Sequence, residues 1–327
     1  MSTIWVVLLS VIGGVVLILS AIAFYCNLFC SRSLISCIVE IYLRVTVKRI
    51  SDKRVKQGIS KLPQKNDVPY RLPRLTKFSV KYSSEDFFGM KVYYLGNKQA
   101  TSAIMYLHGG GYVRQPRFHH WKFLNKLAKK SNNLVVVPIY PKAPNHGPIE
   151  SYDVITRLYT KLISKFSNVS LMGDSSGGGL AAGLCQSFYK KNLPQPYRLV
   201  LLSPWVDLSL NNPDIPFYEK KDPLIWALAE RIWGACWAKD LALTNPIVSP
   251  IYGELVCYQN VYLFVGTREM LYPDVVCFYK KLKKAEVNVS LIVGEGMNHV
   301  YPIYPIPEAK KAFAQILDII NKKGDNI

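Results

Sequence analysis

Acidic side chains are scarce in this 327-residue sequence, which holds 22 of them against 41 lysines and arginines. The formal net charge is therefore +19 at pH 7. The chain is half hydrophobic and only 19% charged, a composition that excludes a disordered protein. About half of the positive excess lies in residues 31–81, where thirteen basic residues accompany three acidic ones. A partner that binds this stretch through its charge should be anionic.

Cysteine is also sparse, with seven residues, an odd number, and no CxxC spacing. In a chain of this length that pattern argues against a disulfide framework. We interpret most of the cysteines as small buried hydrophobic residues.

Charge is missing entirely from Ile4–Tyr25, where nearly every residue is aliphatic. A helix of that length, rising 1.5 Å per residue, spans a hydrocarbon core of about 30 Å. Trp5 and Tyr25 lie near its ends, where amphipathic rings favour the membrane interface. The pattern predicts a single-pass membrane anchor over residues 1–26. A cleaved signal peptide is the alternative, although the segment begins without lysine or arginine.

Basic residues follow this segment and none precedes it. The positive-inside rule therefore favours a cytoplasmic location for the large domain that follows the segment. We interpret residues 27–75 as a basic, amphipathic linker region that either belongs to a cap or lies on the bilayer, with apolar residues at helical spacing at Leu34, Ile38, Ile41 and Val45. Because it follows an apolar segment, membrane lipid is the favoured partner rather than nucleic acid. A solvated linker is the alternative.

From residue 76 to the C-terminus, short apolar runs alternate with amphipathic segments. This order predicts a mostly parallel sheet covered by helices on both faces, with an antiparallel edge at its start. The apolar runs are FSVKY, MKVYYL, AIMYLHG, LVVVPIY, VSLMGD, YRLVLLS, VYLFVG and VSLIVG. Helices are predicted over Glu150–Lys165, Gly178–Lys191, Asp274–Ala285 and Pro307–Lys322.

Residues 173–177 read GDSSG and match G-x-S-x-G between an apolar run and a predicted helix. In that strand–turn–helix context a serine hydroxyl is exposed at a strained turn. Glycines on both sides let the strand and helix approach closely. Ser175 is therefore the predicted nucleophile. A glycine-rich turn without chemistry is the alternative.

Residues 108–112 read HGGGY and follow the run AIMYL. Three successive glycines leave backbone N–H groups free to bind the tetrahedral oxyanion of acyl transfer. The N–H of Ser176, the residue after the nucleophile, completes such a site in esterases and lipases. A phosphate-binding loop is the alternative, but the Lys-Ser/Thr pair of a P-loop is missing from this loop. The two motifs together are far more specific than either alone.

A serine nucleophile needs a base, and the triad order in this kind of fold is serine, acid, histidine. His299 is the only histidine after Ser175. Glu269 is the favoured acid and Asp274 the alternative, whereas Asp222 comes too early in the chain. The other histidines are expected outside the triad, with His108 in the oxyanion motif, His119 and His120 at the surface or rim, and His146 in a loop.

The pair HGGGY and GDSSGG resembles the two signature motifs of the hormone-sensitive-lipase-like α/β hydrolases, the bacterial family IV esterases, over roughly residues 75–323. The resemblance implies an α/β-hydrolase fold, hydrolysis of carboxylic esters, no cofactor or metal, and oxyanion donors at Gly110 and Gly111 beside Ser176. The block TREMLYPD resembles the acid motif DPLRDE, with Glu269 where aspartate is usual. The anchor is similar to that of the arylacetamide-deacetylase-like branch, whose charge topology differs.

Residues 208–245 are predicted to form a cap insertion, with an apolar stripe from Ile225 to Trp237. Trp226 and Trp233, together with Tyr112, are predicted to line a hydrophobic substrate pocket. A helix that buries its stripe in the core is the alternative.

These patterns predict a membrane-anchored serine esterase or lipase that acts on short-to-medium acyl, lipid-like esters through an acyl-enzyme. The alternatives are an amidase, deacetylase or peptidase that uses the same triad, and a non-catalytic membrane-binding scaffold. Nothing in the sequence indicates an oligomeric state.

Overall fold

The computed structural model describes residues 3–62 and 68–322. Its strands are β1 (Tyr82–Phe87), β2 (Met90–Leu95), β3 (Ser102–Leu107), β4 (Leu134–Pro138), β5 (Asn168–Asp174), β6 (Leu199–Leu202), β7 (Val261–Gly266) and β8 (Val289–Gly294). They form one eight-stranded sheet in the order β1-β2-β4-β3-β5-β6-β7-β8. The pairs β1–β2 and β2–β4 are antiparallel and the others parallel. This is the predicted mostly parallel sheet with an antiparallel edge.

The α-helices are α1 (Thr3–Cys30), α2 (Leu34–Thr46), α3 (Asp52–Ser60), α4 (Phe118–Ser131), α5 (Pro148–Ile163), α6 (Ser175–Lys190), α7 (Ile215–Glu219), α8 (Ala227–Ala238), α9 (Tyr272–Lys284) and α10 (Pro307–Asn321). Short 3₁₀ turns lie at Pro250–Tyr252 and Tyr301–Ile303. The four predicted helices correspond to α5, α6, α9 and α10. Each begins and ends within three residues of its predicted bounds.

The sheet separates two hydrophobic cores, which explains why its strands read as continuous apolar runs. In β3, Met105 and Leu107 belong to one core, whereas Ile104 and Tyr106 belong to the other. Apolar side chains of α5, α6 and α9 complete the first core, and those of α4 and α10 complete the second. Burial on both faces is the expected arrangement for a parallel sheet.

The first predicted strand is wrong, because the run FSVKY ends where β1 begins. A two-residue turn pairs Phe87 with Met90, and Gly89 at its tip has φ +77°. Such a turn sets which residues of β1 and β2 pair. In this register the paired residues of β1 begin at Tyr82. Phe78 instead packs edge-on against Trp121 of α4, with ring centroids 5.9 Å apart.

The N-terminal part is more helical than predicted. Helix α1 has 28 residues and, over Ser10–Leu28, is long and apolar enough to cross a membrane. Only 6% of that window is buried in the protein. Helix α3 packs against α8, and its Val55 is buried in the first core. The part of the interpreted linker that the structure describes therefore includes two helices, α2 and α3.

Candidate active site

The nucleophile motif forms a tight turn where β5 ends and α6 begins. Ser175 has φ +51°, a conformation that residues with side chains rarely adopt. A Cβ atom at Gly177 would collide with the carbonyl oxygens of Leu107 and His108 on β3 and the loop after it. The glycine thus allows α6 to start directly against the sheet, and Ser175 lines a cavity at the carboxyl edge of the strands.

His299 reaches Ser175 from the loop after β8. Its Nε2 lies 2.9 Å from the Oγ of Ser175. Its Nδ1 forms a hydrogen bond with Oε2 of Glu269, which follows β7. The structure thus brings the three predicted triad residues together, in the geometry of a nucleophile, a base and the acid that orients the base.

Asp274, the alternative acid, lies in the first turn of α9 and makes no hydrogen bond to His299. Its side chain is buried beside Asp207, and one carboxylate oxygen lacks a hydrogen-bond partner within the described residues. Burial, together with the negative charge of Asp207, raises the pKa of Asp274 to about 7. The geometry therefore favours Glu269 over Asp274.

The second oxygen of Glu269 is fully engaged by the protein. Oε1 accepts hydrogen bonds from the Oγ of Ser203 at 2.8 Å and from the N–H of Gly266 at 2.7 Å. Ser203 Oγ also accepts from the N–H of Val300, next to His299, at 2.9 Å. Sequence reasoning missed Ser203. The available signal was its position directly after the run LVLL, at the carboxyl end of β6.

Asp222 was set aside as an acid, and the structure shows a different role for it. Its Oδ2 accepts from the N–H of Met270 at 2.8 Å, directly beside the triad acid. Its Oδ1 accepts from the N–H groups of Leu224 and Ile225, at 2.7 Å and 3.1 Å. Asp222 therefore connects the segment before α8 to the loop that carries Glu269.

Carboxylates surround the buried imidazole of His299. Burial by itself lowers the pKa of a histidine, but the charge of Glu269 and its hydrogen bond oppose this, with Asp222 and Glu230 adding to the effect. The net result is a pKa of His299 above its ordinary value. This environment favours the protonated, imidazolium form of His299.

The glycine-rich loop after β3 lines the same cavity as Ser175. Gly110 and Gly111 have φ +129° and +63°, values that favour glycine. Within the described part of the chain, neither N–H donates to a protein acceptor. Ser176 lies in the first turn of α6, where backbone N–H groups have no partner inside the helix. All three predicted oxyanion donors therefore lie beside the nucleophile.

Asp174, the second residue of the GDSSG motif, fastens the loop to the nucleophile turn. Its Oδ1 accepts from the N–H of Gly109 at 2.9 Å and from the hydroxyl of Tyr106 at 2.6 Å. Its Oδ2 lies 3.3 Å from Nε2 of His120. The prediction that His120 is a surface or rim residue is wrong, because its side chain is buried against Asp174. His119 is half-buried at the cavity, and His146 lies exposed in a loop.

The cavity has a volume of about 110 Å³. Trp233 forms part of its wall and packs so closely on Gly111 that a Cβ there would lie 2.6 Å from the ring. Tyr112 and Trp226 are not among the residues that line it, which differs from the prediction. Tyr112 is buried and stacks on Trp237 with ring centroids 4.5 Å apart. Its N–H donates to the Oγ of Ser176, so it supports the loop from behind.

Helix α8 also brings a carboxylate to the cavity, which sequence reasoning missed. Glu230 lines the cavity and is only 4% exposed, yet no protein donor hydrogen-bonds to it within the described residues. Burial raises its pKa to about 7. The guanidinium of Arg114 lies over the ring of Trp233, 4.4 Å from its centroid, and also lines the cavity. The substrate site is thus partly polar, not the purely apolar pocket that was predicted.

Residues 104–303 match the protein family described as the α/β hydrolase fold. The chain belongs to this family. The α/β hydrolase is 30% identical over 226 residues to an esterase of Acinetobacter venetianus, an alignment that covers 67% of this chain and 74% of that one. It is also 30% identical over 210 residues to a triacylglycerol lipase of Mycobacterium tuberculosis, covering 63% of this chain and 43% of the lipase.

Solved structures of similar proteins also align with this chain. A candidate esterase from Staphylococcus aureus aligns with a TM-score of 0.81 at 30% identity, covering 86% of this chain and 96% of that one. A homologue of hormone-sensitive lipase, EstE7 from a metagenome library, aligns with a TM-score of 0.73 at 24% identity and shares the fold. The matched family region contains the triad and the glycine-rich loop, and it begins after helices α1, α2 and α3.

Among the described residues, no group of three or more His, Cys, Asp or Glu side chains has the arrangement of a metal site.

Proposed function

We propose that this α/β hydrolase cleaves carboxylic esters through an acyl-enzyme formed on Ser175. The protein is a serine ester hydrolase, as the esterases and the lipase among its relatives support. The observation that carries the mechanism is the continuous contact from Glu269 through His299 to Ser175, next to a glycine-rich loop with free N–H groups.

Acylation follows from this geometry. Nε2 of His299 removes the proton of Ser175 as its Oγ attacks the ester carbonyl carbon. The carbonyl oxygen becomes an oxyanion, which the N–H groups of Gly110, Gly111 and Ser176 stabilise. The tetrahedral intermediate then collapses, and the C–O bond to the alcohol breaks. The imidazolium of His299 gives its proton to the leaving alcohol.

Deacylation repeats these steps with water. His299 removes a proton from a water molecule, which attacks the acyl carbon and forms a second oxyanion in the same site. Collapse breaks the bond to Ser175 Oγ, which recovers its proton from His299, and the carboxylic acid leaves. Glu269 keeps the imidazole oriented throughout and remains ionised.

The size and lining of the cavity support short-to-medium acyl chains. A volume of about 110 Å³ accommodates only a small group beside Ser175, whereas drug-sized ligands occupy pockets of roughly 300 Å³ or more. Leu224, Ile225 and Trp233 offer an apolar wall for the acyl part. We infer that the predicted lipid-like esters bind with their reacting carbonyl in the cavity and the remainder outside it.

A fluorophosphonate probe tests the nucleophile. Wild-type protein should be labelled covalently, and Ser175→Ala should not. Turnover of p-nitrophenyl esters of graded acyl length should fall as the chain lengthens and vanish in Ser175→Ala. Absence of both labelling and turnover in folded wild-type protein would overturn the proposal. Faster cleavage of matched amides than of esters would assign the triad to amidase, deacetylase or peptidase chemistry instead.

We further propose that α1 is an uncleaved membrane anchor over residues 1–26, with the catalytic domain on the cytoplasmic side. Its apolar length and exposure support a span, and the basic residues that follow it support the orientation. Helices α2 and α3 of residues 27–75, together with residues 208–245, form the cap in this proposal. Resistance to alkaline extraction from membranes and an intact N-terminus are expected. A mature protein that begins after residue 23 would indicate a signal peptide.

A further inference from the structure

Helix α2 presents its polar face to the protein and its apolar face to the outside. Its buried side chains are Ser36, Glu40 and Leu43. On the opposite side of the helix, at about 100° per residue, lie five apolar side chains that are each more than half exposed: Ile35, Ile38, Ile41, Tyr42 and Val45. We call these five residues the outer face of α2. A helix on the surface of a water-soluble domain normally has the reverse orientation.

The orientation of α2 is held by ion pairs on its inner side. Glu40 accepts hydrogen bonds from Arg268 at 2.8 Å and 3.1 Å and from Arg44 at 2.8 Å, and it also pairs with Arg32. Ser33, which caps the helix, donates its hydroxyl to Glu308 of α10 at 3.0 Å. A rotation that buried the outer face would break this buried network, so the exposed apolar face is a fixed feature of the fold.

The helix is also tied to the active site. Arg268, which pairs with Glu40, directly precedes Glu269 in the chain. Arg44 donates to the backbone carbonyl of Lys221, next to Asp222. The outer face therefore has a defined position relative to the catalytic cavity.

The surroundings of the outer face indicate a lipid surface rather than another protein. Helix α1, the candidate membrane span, ends at Cys30, and three residues separate it from α2. A bilayer that contains α1 must reach its surface near the start of α2. The chain then continues with exposed basic residues, which suit anionic headgroups: Arg44, Lys48, Arg49, Lys53 and Arg54. Contiguous exposed apolar residues beside such charges are typical of an interfacial helix.

We propose that the outer face of α2 inserts into the boundary between headgroups and acyl chains of an anionic bilayer, and so holds the catalytic domain against the membrane surface. This rests on the proposed anchor. Because Glu40 links α2 to the loop of Glu269, the inserted helix fixes the distance of the active site from the lipid. Esters that partition into the membrane then reach Ser175 without crossing bulk water.

The direct test uses full-length protein in vesicles of phosphatidylglycerol and phosphatidylcholine. A photoreactive benzoylphenylalanine that replaces Ile41 should crosslink to phospholipid on illumination. The same residue in place of Val256, which is equally exposed but lies in the loop before β7, should not. Crosslinks from position 41 to a second copy of the chain, or no crosslink above the level at position 256, would overturn the inference.

Extraction of the same vesicles separates this inference from the anchor. If the protein resists alkaline extraction but position 41 finds no lipid, the anchor stands and the outer face is not interfacial. If the protein is extracted, the anchor fails, and a lipid crosslink at position 41 before extraction would still support the interfacial helix.

A functional test compares two triple variants. Ile38→Ser/Ile41→Ser/Val45→Ser should lower turnover of a vesicle-embedded ester several-fold through a higher KM, and leave turnover of a soluble p-nitrophenyl ester unchanged. The control Phe88→Ser/Ile149→Ser/Val256→Ser removes equally exposed apolar residues from other surfaces and should affect neither. Equal losses in both triple variants would contradict a specific role of α2.

Discussion

The polar groups on the two sides of the active-site cavity differ in their hydrogen-bond partners. On the triad side, the carboxylate of Glu269 is paired with His299, Ser203 and the N–H of Gly266. Away from the triad, within the described residues, Glu230 of α8 has no hydrogen-bond partner, and the side-chain oxygen of Gln115, which follows the glycine-rich loop, is buried without one. Glu269 is therefore held in place before substrate binds, whereas Glu230 and Gln115 remain available to the substrate.

Among variants that keep Ser175, the largest effect should come from removing the charge that orients His299. Glu269→Gln is expected to lower kcat by about 10³–10⁴-fold, as loss of the triad acid does in other serine hydrolases. The amide cannot stabilise the imidazolium and favours the wrong tautomer. Steady-state kinetics on a soluble ester would measure this.

The matched control for that variant is Asp274→Asn, which alters a buried carboxylate of the same region. Its kcat should stay within a few-fold of wild type, because Asp274 does not contact His299. Equal losses in the two variants, with thermal unfolding unchanged, would contradict the assignment of Glu269.

The next largest effect should come from removing a side chain that holds Glu269 in place. Ser203→Ala removes the donor to Glu269 and the acceptor for the N–H of Val300. Oε1 of Glu269 keeps the hydrogen bond from the N–H of Gly266, but the buried N–H of Val300 loses its acceptor. An unsatisfied buried group costs about 1–3 kcal/mol of folding stability, so a lower Tm is expected. Because Glu269 is held by one hydrogen bond fewer, kcat should fall as well. A variant with unchanged kcat would show that the triad does not depend on this hydroxyl.

The Glu40 network predicts how stability depends on pH. Burial raises the pKa of Glu40, but hydrogen bonds from Arg268 and Arg44 and their charges dominate and lower it from 4.5 to about 2. A depressed pKa means that the stabilisation is present above pH 4.5 and is lost as the pH falls towards 2. Breaking a buried pair costs about 3 kcal/mol. Glu40→Gln should therefore destabilise the protein at pH 7 by roughly that amount and flatten its acid dependence.

Urea unfolding at several pH values checks this prediction. Asp52→Asn is the control, because Asp52 forms an exposed pair with Lys56 at 3.1 Å and such pairs contribute little. If both variants unfold at the same urea concentration as wild type, α2 is not held by its ion pairs.

The smallest effect is expected from a substitution of Glu230 on α8. The negative charge of Glu230 helps to raise the pKa of His299, so Glu230→Gln should lower that pKa. His299 acts as a base in its neutral form, and the acid limb of kcat/KM should therefore move to lower pH. The exposed Glu254 offers the control variant Glu254→Gln, which should leave the profile in place. A shift of the acid limb to higher pH in Glu230→Gln would contradict the proposed electrostatics.

Much of the catalytic core could be predicted because its chemistry is local in sequence. A sharp turn with glycines around Ser175 and three successive glycines after β3 each form a short motif. The fold follows from apolar runs at strand length separated by helices. His299 could be found by elimination, since the chain contains no other histidine after the serine.

The supporting residues could not be predicted, because their partners are distant in sequence. No motif around these residues indicates which side chains they contact. Ser203 and Asp222 meet the loop of Glu269 only once β6, β7 and the cap region are packed. His120 carries no sign in the sequence of its contact with Asp174, 54 residues away. The pocket prediction relied on apolar spacing, which does not distinguish the cavity-lining Trp233 from Trp226, which lies outside the cavity.

The sequence by itself determined the candidate nucleophile, the candidate base and the presence of an apolar N-terminal helix, because turn chemistry, triad order and hydropathy act over short stretches of chain. Only the tertiary structure decided that Glu269 rather than Asp274 contacts His299, and that α2 turns its apolar face outward. Both outcomes depend on which charges meet in space. Buried carboxylates require partners, and the arginines and hydroxyls that satisfy them come from remote elements of the fold.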